Sequence, residues 1–167
     1  TADFDYADSL YFSEGAAQSA RDALNDGITI VTDTTMALSG INKPALAKLN
    51  CSARCYIGDS DIAETAAANG TTRSAASMDK AAELDGNLIF AIGNAPTALV
   101  RLYELINSGK LSPKLIIAVP VGFVNVVQAK EMIMELSVPC IVARGRKGGS
   151  NVAAAIVNAL LYQLVAR

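Results

Sequence analysis

The segment 87–110, NLIFAIGNAPTALVRLYELINSGK, joins two kinds of pattern across a single turn. Its first part is a short, almost unbroken apolar run, which suits a strand buried on both faces. Gly93 ends the run, and Pro96 then sits where a helix tolerates proline best, at its first position, because that residue has no intrahelical N–H partner to lose. The unit is strand, tight turn, helix.

The same grammar recurs on both sides. PKLIIAVPVG precedes FVNVVQAKEMIMELS, and VPCIVAR precedes GGSNVAAAIVNALLYQLVAR. Upstream, ITIVTD is a β-branched strand delivering Asp33 at its carboxyl end. TTMALSGI follows as a short helix closed by Gly40, and a second short helix is expected after Pro44. ARCYIG reads as a strand. DSDIAETAAANG and TTRSAASMDKAAELDG each read as a capped helix with a glycine stop. The opening DYADSLYFSEGAAQSARDALNDG reads as helical in two pieces, broken near Ser13, Glu14 and Gly15. Alternation of this kind predicts an α/β fold: a doubly wound, mostly parallel sheet flanked by helices, a Rossmann- or flavodoxin-like three-layer sandwich. No repeat or linker divides it, so residues 1–167 are read as a single domain.

Composition narrows the function. The chain is 51% hydrophobic and 18% charged, which excludes disorder. A net charge of -2 provides no global field for nucleic acid. No apolar run reaches the roughly 18 residues of a membrane span, and no signal peptide opens the sequence, so a cytoplasmic protein with reduced cysteines is expected. Cys51 and Cys55 lack partners for a zinc site, and no metal is expected. The chain has no histidine, which removes Ser-His-Asp and Cys-His nucleophiles. Acid–base work within it would fall to a perturbed carboxylate, Lys, Tyr or Cys.

In doubly wound sheets, ligands bind beyond the carboxyl ends of the strands. Four distinctive stretches fall there: VTDTTMA, IGNAPTA, VPVGFVN and ARGRKGGSN. In the last, Arg144, Arg146 and Lys147 surround Gly145, and Gly148, Gly149 and Ser150 open a helix, so charge and backbone donors either converge on an anion site, the favoured reading, or make a solvated charge cluster. Gly93, Asn94, Ala95, Pro96 and Thr97 either bind an anion through helix-start N–H groups or simply cap the helix. Gly122 and Phe123 either floor a flat ligand or make a turn with a core aromatic. Arg73, flanked by Thr72 and Ser74, either grips a carboxylate or pairs with Asp79 or Asp85. Asp3, Asp5 and Asp8 are too loosely spaced for a metal loop and are expected to cap and solvate the first helix. Neither G-x-G-x-x-G nor a P-loop is present, which argues against a nucleotide enzyme.

Taken together and in order, DFDYADSLYFSEGA, ITIVTDTTMALSGI, GTTRSAASM, GNAPTAL, VPVGFVNVVQAKE and RGRKGGSNVAAAIVNALL resemble the precorrin-8X methylmutase family of cobalamin biosynthesis. The resemblance covers nearly the whole chain. It implies an isomerase that moves a methyl group between adjacent carbons (C-11 to C-12) of a corrin-precursor ring, precorrin-8X or cobalt-precorrin-8, without a cofactor, giving hydrogenobyrinate or cobyrinate. It also implies a homodimer. The substrate would be a flat tetrapyrrole rimmed with carboxylates. Arg73, Arg144 and Arg146 would clamp these, and Ser74, the 94–97 turn, Gly122, Phe123 and Gly148 to Ser150 would line the ring. The family's proton-transferring histidine is expected immediately ahead of Thr1, on a preceding strand, so the sequence is read as an amino-terminally truncated member. The alternative is a non-catalytic corrinoid- or tetrapyrrole-binding protein.

Overall fold

A computed structural model describes residues 1–84 and 86–165. The elements run in chain order as α1 (Tyr6–Ser9), β1 (Leu10–Phe12), α2 (Ala16–Asn25), β2 (Thr29–Thr32), α3 (Thr35–Gly40), α4 (Lys43–Lys48), β3 (Ser52–Arg54) and α5 (Ser60–Ala68). They continue as α6 (Arg73–Ala82), β4 (Leu88–Ile92), α7 (Pro96–Asn107), β5 (Leu115–Ala118), α8 (Val126–Met134), β6 (Cys140–Ala143) and α9 (Ser150–Leu161). The six strands form one sheet in the order β1-β6-β5-β4-β2-β3, parallel throughout except for β1. The last two residues of the expected closing helix lie outside the described residues.

Every residue of β4, β5 and β6 is buried, as their unbroken apolar runs require, because helices cover both faces of the sheet. Period-two alternation divides these strands between two cores. Leu88, Phe90 and Ile92 face the core shared with α5 to α8, while Ile89 and Ala91 face the core shared with α2, α3, α4 and α9. Gly40 lets α3 approach α9: a Cβ there would lie 2.8 Å from that of Ala154.

The first strand corrects the sequence reading. Leu10–Phe12 was expected to be helical, yet it pairs antiparallel with β6, Leu10 opposite Ala143 and Phe12 opposite Ile141. The Ser13 hydroxyl accepts from the Cys140 N–H at 2.8 Å, and the Arg144 N–H donates to the Ser9 carbonyl at 2.9 Å. Three residues are too few for local propensity to decide their state. The open ladder of β6 offers backbone partners that a helix here would leave unused.

Helix placement creates crevices along the carboxyl edge of the sheet, two of which flank the β4–β5 pair. The chain leaves β2 and β6 toward one face and leaves β4 and β5 toward the other. The loops therefore diverge between β2 and β4, and again between β5 and β6. Such divergences are where ligands enter doubly wound sheets.

Candidate functional site

The first crevice is already filled. Asp33 follows β2 and is 1% exposed. Its Oδ1 accepts from the Gly93 N–H at 2.9 Å, and its Oδ2 from the Asn94 and Ala95 N–H groups at 2.8 and 2.7 Å. The helix-start donors that the sequence offered to an external anion are satisfied by the protein's own carboxylate. Burial pushes the Asp33 carboxyl above its usual range, although the three donors work in the opposite direction. Asn94 and Thr97 keep exposed side chains, whereas Ala95 is buried.

Beside that crevice the loops interlock through glycine. A Cβ on Gly93 would lie 2.6 Å from the Ser150 Cα, and one on Gly148 would lie 2.1 Å from the Val119 carbonyl oxygen. The Gly149 N–H donates to that same carbonyl at 2.8 Å, with Gly149 at φ 139. Ser150 Oγ and Thr34 Oγ1 lie 2.7 Å apart. The small residues of the 148–150 turn thus let the ends of β4, β5 and α9 touch backbone to backbone.

The second crevice, between β5 and β6, carries the cations. Arg144, Arg146 and Lys147 are all exposed, but their situations differ. Lys147 Nζ is held by Asp3 at 2.8 Å and by Asp5 at 2.6 Å, so two carboxylates expected only to cap and solvate the first helix bind this loop instead. Those two carboxylates raise the Lys147 ammonium well above its ordinary value. The Tyr6 hydroxyl donates to the Gly148 carbonyl at 3.4 Å, which further ties the start of the chain to the loop. Arg144 lies over the Tyr11 ring, 4.7 Å from its centre, and Arg146 lies 5.9 Å from that of Phe123. Among the described residues neither arginine makes an ion pair. Stacking orients each guanidinium and leaves its in-plane N–H groups for a ligand.

Phe123 is 86% exposed, so the core-aromatic reading of VPVGFVN does not hold. The neighbouring Gly122, at φ 144, donates its N–H to the Arg146 carbonyl at 3.2 Å. Asn125 stands in the left-handed region at φ 57, before α8.

From Asn125 the surface runs into a cleft of about 820 Å³ between α6 and α7, lined by Gly70, Thr72, Asp79, Thr97, Arg101 and Asn125 among others. That volume falls within the usual range for small-molecule sites. Thr72 caps α6 by accepting from the Ala75 N–H at 3.1 Å, and its hydroxyl donates to Thr97 Oγ1 at 3.0 Å. Arg73 and Ser74 begin α6 beside this contact. Arg73 is exposed and does not pair with Asp79, which binds Arg101 at 2.7 Å; Asp85 lies outside the described residues. Of the residues singled out in the sequence, Gly122 and Phe123 meet Arg146, and Thr97 meets Thr72, while Gly149 and Ser150 are buried in the interlocked strand ends.

Sequence reasoning missed Lys130. This α8 residue is 1% exposed, and its Nζ donates to the Gly145 and Lys147 carbonyls, both at 2.8 Å. The signal was available: Val126, Ala129, Lys130 and Ile133 share the helical spacing of a buried face. Burial lowers the ammonium to about 8 from an ordinary 10.5. The unfolded chain then binds a proton between these values that the folded chain has released, so this group's contribution to stability rises with pH across that window. Relative to Lys130→Met, the parent should gain about 2 kcal/mol between about pH 7.5 and about pH 10 in urea denaturation. A constant difference would contradict the assignment.

Fold and site together define a doubly wound α/β protein with a cationic, aromatic-rimmed face at its strand ends. A family model for precorrin-8X methylmutase matches residues 1–163. Similar proteins include the cobalt-precorrin-8 methylmutase of Salmonella typhimurium, 51% identical over 98% of this chain and 77% of the relative. The precorrin-8X methylmutase of Pseudomonas aeruginosa is 42% identical over 93% of this chain and 76% of its own. The crystal structure of precorrin-8X methyl mutase from Thermus thermophilus superposes with a TM-score of 0.86 at 37% identity, covering 96% of this chain and 79% of that one. The chain belongs to the precorrin-8X methylmutase family, and it is an isomerase, a methylmutase of cobalamin biosynthesis.

Proposed function

We propose that this protein moves a methyl group between neighbouring ring carbons of precorrin-8X or its cobalt-bearing counterpart, and that it holds the ring by its peripheral carboxylates. The observation that carries this reading is the division of labour among the loop cations. Lys130 and Lys147 are spent inside the protein, whereas Arg144 and Arg146 are stacked, exposed and free of carboxylate partners among the described residues. Bidentate guanidinium–carboxylate pairs suit such a rim, and Phe123 offers a face to a flat conjugated ring. Arg73, exposed at the start of α6, is available to a further carboxylate.

The catalytic demand is protonation and deprotonation of the ring as the methyl migrates. The ion pairs from Asp3 and Asp5 to Lys147 tie the segment 3–5 to the cationic loop. We further propose a homodimer in the cytoplasm. Phe123 and Val124 on the β5–α8 loop and Met36 in the first turn of α3, all apolar and exposed, support a partner surface near the site. No described helix is long and apolar enough to cross a membrane.

The test is a titration with a late precorrin or cobyrinic acid, followed by visible absorption, on the intact protein. Arg144→Ala and Arg146→Ala should each weaken binding about 10- to 100-fold, as expected when one charge-assisted pair is lost. Unchanged affinity in both variants would sink the carboxylate-grip reading. Binding without spectral conversion would indicate a corrinoid-binding protein.

A further inference from the structure

We infer that Lys130 is a positioning residue for substrate binding: its buried ammonium pins the 145–147 backbone and so fixes where Arg144 and Arg146 present their guanidinium groups. The inference rests on the reading that these two arginines grip the substrate.

Three consecutive carbonyls of the cationic loop are held. Lys130 Nζ binds those of Gly145 and Lys147, and the Gly122 N–H binds that of Arg146 between them. The loop is consequently clamped at every residue from 145 to 147, from α8 on one side and from the β5–α8 turn on the other. Gly145 itself stands at φ +76 with nothing near its absent Cβ, so local packing does little to fix this turn. A flexible turn needs an external anchor if the arginines on either side are to keep one geometry.

Lys130 is an expensive choice for a merely structural role. Its Nζ is bonded by two carbonyls and, among the described residues, by no carboxylate. A methionine would fill much the same volume on the apolar face of α8 without burying a charge. What methionine lacks is a pair of donors reaching two carbonyls two residues apart. Lys130 and Arg144 line the same cavity of about 260 Å³, together with Val127, Glu131, Met134 and Gly145, so the lysine stem and the first arginine border one space. Order in such arginines matters for affinity, because a guanidinium already held in place loses less side-chain entropy on binding.

The experiment is a double-mutant cycle read by cobyrinic acid binding to the full-length protein, with Lys130→Met made in the parent and in an Arg144→Ala/Arg146→Ala background. In the parent, Lys130→Met should weaken binding about tenfold, while in the arginine-free background it should change affinity by less than about twofold. A residue acting on the fold alone would weaken both by the same factor, and that result would overturn the inference. Parent-like binding by Lys130→Met, with the arginine variant impaired, would overturn it also. An arginine variant that binds like the parent would instead bring down the carboxylate-grip reading and this inference with it. If Lys130→Met does not melt cooperatively, Lys130→Gln, which keeps a donor and loses the charge, replaces it under the same criteria.

Discussion

Gly148→Ala is expected to destabilise the protein by more than about 3 kcal/mol and to abolish binding of the macrocycle. The added Cβ would lie 2.1 Å from the Val119 carbonyl oxygen and 2.7 Å from that of Pro120, and neither is the movable end of a side chain. Relief requires separating the end of β5 from the start of α9. That breaks the hydrogen bond from the Gly149 N–H to Val119 and displaces the loop that carries both arginines. Gly145→Ala is the matched control. Its left-handed φ of +76 carries a backbone penalty of about 1–2 kcal/mol, but its surroundings are empty. Thermal melting followed by circular dichroism compares them directly. Equal losses in the two variants would show that contact with Val119 is not what fixes glycine at 148.

Asp33→Ala is expected to cost about 3 kcal/mol, the balance of two opposed effects. Three backbone donors at residues 93, 94 and 95 lose their acceptor, two of them on buried residues, at about 1–3 kcal/mol each when left unsatisfied. Against this, a buried negative charge disappears, and the raised pKa of the carboxyl shows that this charge is itself costly. Asp33→Asn should be no milder a replacement than its shape suggests, since its amide N–H₂ faces backbone donors where an acceptor is needed. Urea denaturation measures both. A loss under about 1 kcal/mol for Asp33→Ala would mean that water or an external anion takes over the vacated crevice, restoring the anion-binding role that the sequence suggested for the 93–97 turn.

How much was legible depended on whether the signal was local. The three strands β4, β5 and β6 announced themselves, because burial on both faces demands an unbroken apolar run, and NLIFAI, KLIIAV and PCIVA have few other uses. Pro96 marked the start of α7 through a constraint contained in one residue. Leu10–Phe12 was not legible as a strand. Its state depends on the open edge of β6, some 130 residues away, and three residues of mixed propensity do not encode that neighbour.

The site divides in the same way. By itself, the sequence determined that cations cluster at one strand end, that no nucleotide motif accompanies them, and, through the order of its motifs, which family the chain resembles. Only the tertiary structure decided which charges are available. Lys147 is taken by Asp3 and Asp5, Lys130 is buried beneath the loop, and the donors of the 93–95 turn are taken by Asp33, leaving Arg144 and Arg146 for a ligand. The reason is physical. Residue type fixes the charge a side chain can carry, but its pairing depends on distances of about 3 Å between segments far apart in the chain, and only the packed fold sets those distances.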